Sequence, residues 1–176
     1  MPSDSFEQLL DRAASWFGIG AGFWDIFGHY HTTSVTAKQS ILRALGVAAE
    51  SSADLEQALA ALARNQWERL LPPVVVAAEA GAVELPLHVA AERLGARARC
   101  VVRREDGECG EFEVNLWELP QVASVEMDGR TWVRVQVTLP MQLPLGYHEV
   151  TASVGGSRAS TRCIVTPERA YMDPHL

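Results

Sequence analysis

Two consecutive prolines, Pro72-Pro73, divide this chain into halves of different character. Neither can donate a backbone hydrogen bond, and each pushes the residue before it into extended backbone, so no helix runs through them. Before Leu71 the apolar residues recur at helical spacing. After it they alternate, and turn signals recur every 8–12 residues. The break predicts an α+β chain: a helical segment over 1–70, a β-rich domain over 71–166 and a linker over 167–176. With 176 residues, 48% of them hydrophobic, a packed core is within reach without disulfides or metal.

In the first half, Phe6, Leu9, Leu10, Ala13, Ala14 and Phe17 form one apolar stripe, which predicts a helix over 4–17. Ser3 is its expected N-cap, and Gly18 and Gly20 end it. Asp25 and Gly28 take the first and last places of a type I turn. The aromatics around that turn are expected to pack onto the helices, and Trp16, Trp24 and Trp67 to join the helical core. A second helix is expected from Thr36, whose capping box is completed by Gln39, with Ile41, Leu42 and Leu45 on one face and Gly46 as its left-handed stop. A third begins at Ser51 or Ser52, carries Leu55, Leu59 and Leu62, and gives way to a short turn at Trp67–Leu70.

The second half reads as strands over 74–76, 83–89, 98–104, 111–116, 122–127, 131–139, 147–154 and 158–165. Val74–Val76 is expected to be buried. Pro86 marks an edge strand or a bulge. Asp106-Gly107, Asp128-Gly129 and Gly155-Gly156 are hairpin turns. Val133, Val135, Val137 and Leu139 face one way, and Trp132, Arg134 and Gln136 the other. With no helical crossover to join parallel neighbours, these strands predict an antiparallel, immunoglobulin-like β-sandwich. Leu143-Pro144-Leu145-Gly146-Tyr147-His148 has the form of a tyrosine corner, in which a tyrosine hydroxyl pins a loop between the sheets.

A formal net charge of −7 repels phosphate backbones and argues against a nucleic-acid partner. Three cysteines, Cys100, Cys109 and Cys163, have no zinc-ligand spacing and fit a reducing cytoplasm. The start Met1-Pro2-Ser3-Asp4 lacks the form of a signal peptide, and no apolar run approaches the roughly 20 residues a bilayer span needs. A cytoplasmic protein with no membrane partner is expected.

No reactive constellation stands out. His29 and His31 supply at most half a zinc site, so no metal is expected. The pairs Glu105/Asp106, Glu111/Glu113 and Glu118/Glu126 fall on turns or outward strand faces, whereas glycoside chemistry needs two carboxylates across a cleft, one with a raised pKa. No serine lies in a nucleophile elbow. The glycines of Gly18–Gly22 follow a helix rather than a strand, which rules out a dinucleotide loop. No catalytic residue and no cofactor are expected. Trp132 and Trp117 are the candidate contact residues: exposed indoles stack on sugar rings, but packing on the helical segment or a neighbouring domain is the favoured role, since large exposed apolar patches usually mark interfaces.

Four stretches carry a resemblance. They are Phe23-Trp24-Asp25-Ile26-Phe27-Gly28 with Val35-Thr36-Ala37 and Ile41–Val47; Trp67 with Leu71–Val76; Leu143–His148; and Val165-Thr166-Pro167 with Ala170-Tyr171. In this order they resemble the N-terminal, non-catalytic region of bacterial 4-α-glucanotransferases (amylomaltases). The resemblance implies a longer enzyme that moves α-1,4-glucan segments by a retaining mechanism on a (β/α)8 barrel of about 250 residues. It implies the barrel of the same polypeptide as partner, and α-glucan as a further one. It places no catalytic residue on this chain. The rival readings are a free-standing carbohydrate-binding module and a protein-interaction module.

Overall fold

The computed structural model describes residues 4–170 and Met172. Ser3, Tyr171 and the end of the expected linker lie outside the described residues. The chain divides into two compact units, Met1–Asn65 and Gln66–Leu176.

In the first unit, α1 (Phe6–Trp16) is capped by Ser5 rather than Ser3. Its hydroxyl accepts from the Gln8 amide at 3.3 Å, and the Gln8 side chain accepts from the Ser5 amide at 2.7 Å, closing a capping box. A short hairpin follows, β1 (Gly22–Trp24) against β2 (Tyr30–Thr32); only its turn was legible in the sequence. Next comes α2 (Val35–Ala44), which starts two residues earlier than expected, because the Ser34 hydroxyl accepts from the Ala37 amide at 3.2 Å. Thr36 therefore lies inside the helix. Gln39, expected to close its capping box, donates instead to the Ala49 carbonyl at 2.7 Å. Gly46 is the stop that was expected: at φ 80° it lets the Val47 amide reach back to Leu42 at 2.9 Å. Ser51 and Asp54 cap α3 (Ser52–Glu68) reciprocally. That helix runs on through Trp67, where a turn was expected.

Leu9, Leu10, Ala13, Leu42, Ala49 and Leu55 make the core of this unit. Ile41 and Leu45 share a predicted face with Leu42 but are exposed. Trp16 and Trp24 are exposed as well, so neither joins the helical core. Removing the Ser34 cap with alanine should lower stability by about 1 kcal/mol, while Thr36→Ala should change it far less. Urea titration of the two variants checks the order.

The second unit is the β-sandwich. One sheet has the order β3 (Val74–Ala78), β10 (Ser157–Thr166), β9 (Gly146–Val154), β5 (Arg97–Arg103), β6 (Cys109–Asn115). The other is β4 (Glu84–Ala90), β8 (Arg130–Thr138), β7 (Gln121–Met127). The predicted alternation holds. Leu85, Leu87, Val133, Val135 and Val137 face Ala98, Cys100, Val102, Val150, Ala152 and Cys163 in one buried core. Pro86 sits on an edge strand, where its missing N–H costs no ladder bond. All three hairpin turns carry positive φ, including Asp128 at 52°.

Two expectations about the sandwich are corrected. β3 is an edge strand with Val74 and Val76 exposed, and it pairs parallel to β10. A parallel pair needs a long crossover, and here nearly the whole sandwich is the crossover. The corner at Leu143–His148 is pinned by histidine, not tyrosine. Tyr147 is exposed, while His148 is buried; its Nε2–H donates to the Pro144 carbonyl at 2.8 Å and its Nδ1 accepts from the Glu105 amide at 3.2 Å. A carbonyl can only accept and an amide can only donate, which fixes the neutral tautomer with the proton on Nε2.

Candidate functional site

Trp132 stands on the outward side of β8, between Ala90 of β4 and Val125 of β7. It is half-buried. The Arg130 guanidinium lies 5.3 Å from its ring centroid and is tied in turn to Glu92 at 2.6 Å. One face of the indole is thus engaged by a cation. Trp117 lies in a short 3-10 turn, Leu116–Glu118, after β6, with 53% of its surface exposed. An open cleft of about 370 Å³, lined by Arg97, Glu113, Val114, Asn115, Glu118 and Leu119, takes in part of the same turn. The two tryptophans make no ring contact with each other among the described residues.

The outward face of β4 and β8 carries a second cluster. His88 of β4 and Arg134 of β8 are cross-strand partners. Trp67 packs against both, with its ring 5.1 Å from that of His88 and 5.2 Å from the Arg134 guanidinium. Trp67 therefore belongs to the sandwich face and not to the helical core. His88 Nδ1 donates to the Arg69 carbonyl at 3.2 Å, and its Nε2 accepts from Arg134 Nε at 2.8 Å. Burial holds its pKa below the ordinary 6.5; the Arg69 carbonyl works against that shift and the Arg134 charge adds to it. Because the unfolded chain binds this proton more readily, stability is fully present above pH 6.5 and declines as the pH falls toward the folded pKa. His88→Gln should flatten that part of the stability–pH curve, as chemical denaturation between pH 5 and 8 will show.

In the first unit, Asp25 organises the β1–β2 hairpin. Its Oδ1 accepts from the amides of Phe27 at 2.9 Å and His29 at 2.8 Å, and its Oδ2 bonds His31 Nε2 at 2.9 Å. The His31 bond, then the His29 amide, lowers its pKa from 3.8. The two histidines thus brace a turn. Among the described residues no group of three or more His, Cys, Asp or Glu is placed to hold a metal ion. Phe23 stacks on His31, and Trp24 leans on Tyr30. Rather than packing onto the helices, the hairpin aromatics face solvent, with Trp24 at 71% and the tip residue Ile26 at 94% exposed.

The carboxylates fall into structural roles. Glu111 pairs with Arg99, Glu113 with Arg97 at 3.9 Å and Asp106 with Arg104 at 2.8 Å. Glu105 accepts from the Tyr147 amide at 2.9 Å. Where a carboxyl pKa is displaced among the described residues (Asp25, Glu50, Glu92, Glu111), it is lowered, the reverse of what a general acid needs. Cys100 and Cys163 are buried thiols, and burial pushes Cys100 up to about 11.

Known proteins share this architecture. Residues 70–167 match the family model described as the MalQ N-terminal beta sandwich domain. The chain is 33% identical over 163 residues to the 4-alpha-glucanotransferases of Mycobacterium tuberculosis and Mycobacterium bovis, covering 90% of this chain and 21% of each relative. It matches the crystal structure of amylomaltase from Corynebacterium glutamicum with a TM-score of 0.72 and 28% identity, over 93% of this chain and 23% of that one. The chain thus spans about a fifth of the length of the relatives it matches.

Proposed function

The chain belongs to the family of the MalQ N-terminal β-sandwich domain, and from that premise we propose that it serves a 4-α-glucanotransferase as a non-catalytic region that supports or orients the catalytic barrel. One observation carries this reading: the matched domain is N-terminal by description, and the match leaves almost four fifths of each relative unspanned. That remainder has room for a barrel of about 250 residues. Asp25, Glu50, Glu92 and Glu111, whose hydrogen-bond partners hold their pKa values below the ordinary carboxylate range, support the same reading, since retaining transfer needs one carboxyl held protonated. α-1,4-Glucan is the substrate of the whole enzyme in this proposal, the barrel its partner in the same polypeptide, and the cytoplasm its location.

The test is a transfer assay with maltotriose. The purified chain alone should release no glucose and build no longer maltooligosaccharides, and a polypeptide joining it to the barrel should do both. Turnover by the isolated chain that survives repurification would overturn the proposal.

A second reading, a carbohydrate-binding module, draws on the exposure of Trp117. Maltooligosaccharide titration followed by tryptophan emission separates the two. A saturable change abolished by Trp117→Phe or Trp132→Phe favours binding; unchanged emission at millimolar sugar removes this reading.

A further inference from the structure

We propose that the outward face of the five-stranded sheet around Val76, Ile164 and Tyr147 is the seat on which the following region of the glucanotransferase polypeptide docks; this rests on the accessory reading above. The three residues are cross-strand neighbours on β3, β10 and β9, since Ile164 pairs with Val76 on one side and with Tyr147 on the other. All three point away from the sandwich core, where Val75, Cys163 and His148 point in. Val76 is 60% and Tyr147 57% exposed, and Val74 and Leu145 are exposed as well. The adjacent row begins with Val74 and is charged beyond it: Arg162 stands opposite Glu149, which Arg103 bridges at 3.2 Å. An apolar centre holding an aromatic residue beside a charged row is the anatomy of an interface. β3 is also an edge strand, so among the described residues its far side has no strand partner.

The occupant follows from the chain path. β10 ends at Thr166, two residues beyond Ile164, so whatever follows leaves from the border of the patch. The relatives are several times longer than this chain. A tethered domain meets the patch at an effective concentration on the order of millimolar, so a small apolar seat suffices. A second, untethered copy would need about 800 Å² per partner, more than a few half-exposed side chains offer.

Hydrogen exchange tests this by comparing the isolated chain with the full-length polypeptide at equal concentration. The amides of Val74–Ala78 and of Tyr147 should exchange at least tenfold more slowly in the longer protein. The pair Val76→Arg and Tyr147→Arg should restore the faster rates there, while the core strand β8 keeps its protection. Equal rates in the two proteins would overturn the proposal. So would slowing that appears in the isolated chain as its concentration rises, or slowing confined to the Gly22–Thr32 hairpin. Maltotriose transfer, measured on the same samples, keeps the two ideas apart. Transfer without protection of β3 removes the docking seat alone, and protection without transfer removes the accessory reading alone.

Discussion

His148→Ala will lower the unfolding free energy of the sandwich by about 3 kcal/mol, the combined cost of a core cavity and two buried groups left without partners. The imidazole is 2% exposed and stands in the β9 row that faces the core. It joins the Pro144 carbonyl to the Glu105 amide, linking the approach to β9 with the turn after β5. Truncation strands both backbone groups. Tyr147→Phe, which removes the hydroxyl a tyrosine corner would use, should cost less than about 0.5 kcal/mol, as a surface substitution does. Urea titration of the pair decides which side chain holds the corner. A tyrosine variant as damaging as the histidine one would refute the assignment.

Gly146→Ala will cost a similar amount, about 3 kcal/mol, through strain and crowding together. Gly146 has φ 136°, where an L side chain is strained, and a Cβ there would collide with Glu105 Oε2. That oxygen cannot simply withdraw, since it accepts from the Tyr147 amide. Glu105→Ala alone should cost about 1 kcal/mol for the lost hydrogen bond. The double variant should be milder than the sum of the two, with a coupling above 1 kcal/mol, because the crowding disappears with the carboxylate. Additivity within about 0.5 kcal/mol would show that the two residues do not meet.

The parts of the fold legible in the sequence are those set by local rules. Alternation placed Val133, Val135 and Val137 in the core, and paired turn residues placed three hairpins, because side-chain period and backbone φ are properties of a few adjacent residues. The helix stop at Gly46 was legible for the same reason. The structure departs from these readings where two residues compete for one partner or where the partner is supplied from elsewhere in the chain. Thr36 lost the cap of α2 to Ser34, two residues earlier, and Gln39 was drawn to the Ala49 carbonyl. Trp67 has helical spacing yet packs with His88 and Arg134, a partnership that exists only once β4 and β8 pair. At the corner, Tyr147 carries the residue type of the familiar motif, whereas the neighbouring His148 gives no one-dimensional sign that both its nitrogens are used. Asp25, three residues before Gly28, gave a turn signal, but its grip on His31 needed the hairpin register. Of the candidate contact residues, the sequence could place Trp132 on the outward side of its strand. It could not foresee Arg130 over the ring, because that geometry depends on Glu92 from a different connection.

The parallel seam between β3 and β10 also governs when this domain can be finished. Thr166 Oγ1 donates to the Ala77 carbonyl at 3.4 Å across 89 residues of chain, so the first strand of the sandwich waits for the last. Closing so long a loop is repaid only at the end, and folding that relies on such distant pairings is slow. On the ribosome, at roughly 5–20 residues per second, the valines of β3 remain unpaired for several seconds while the intervening strands emerge. During that interval they form a short β-prone segment whose flank Pro72-Pro73 cannot extend as a strand. The prolines that divide the chain therefore also act as gatekeepers, limiting mispairing of the nascent edge until β10 arrives.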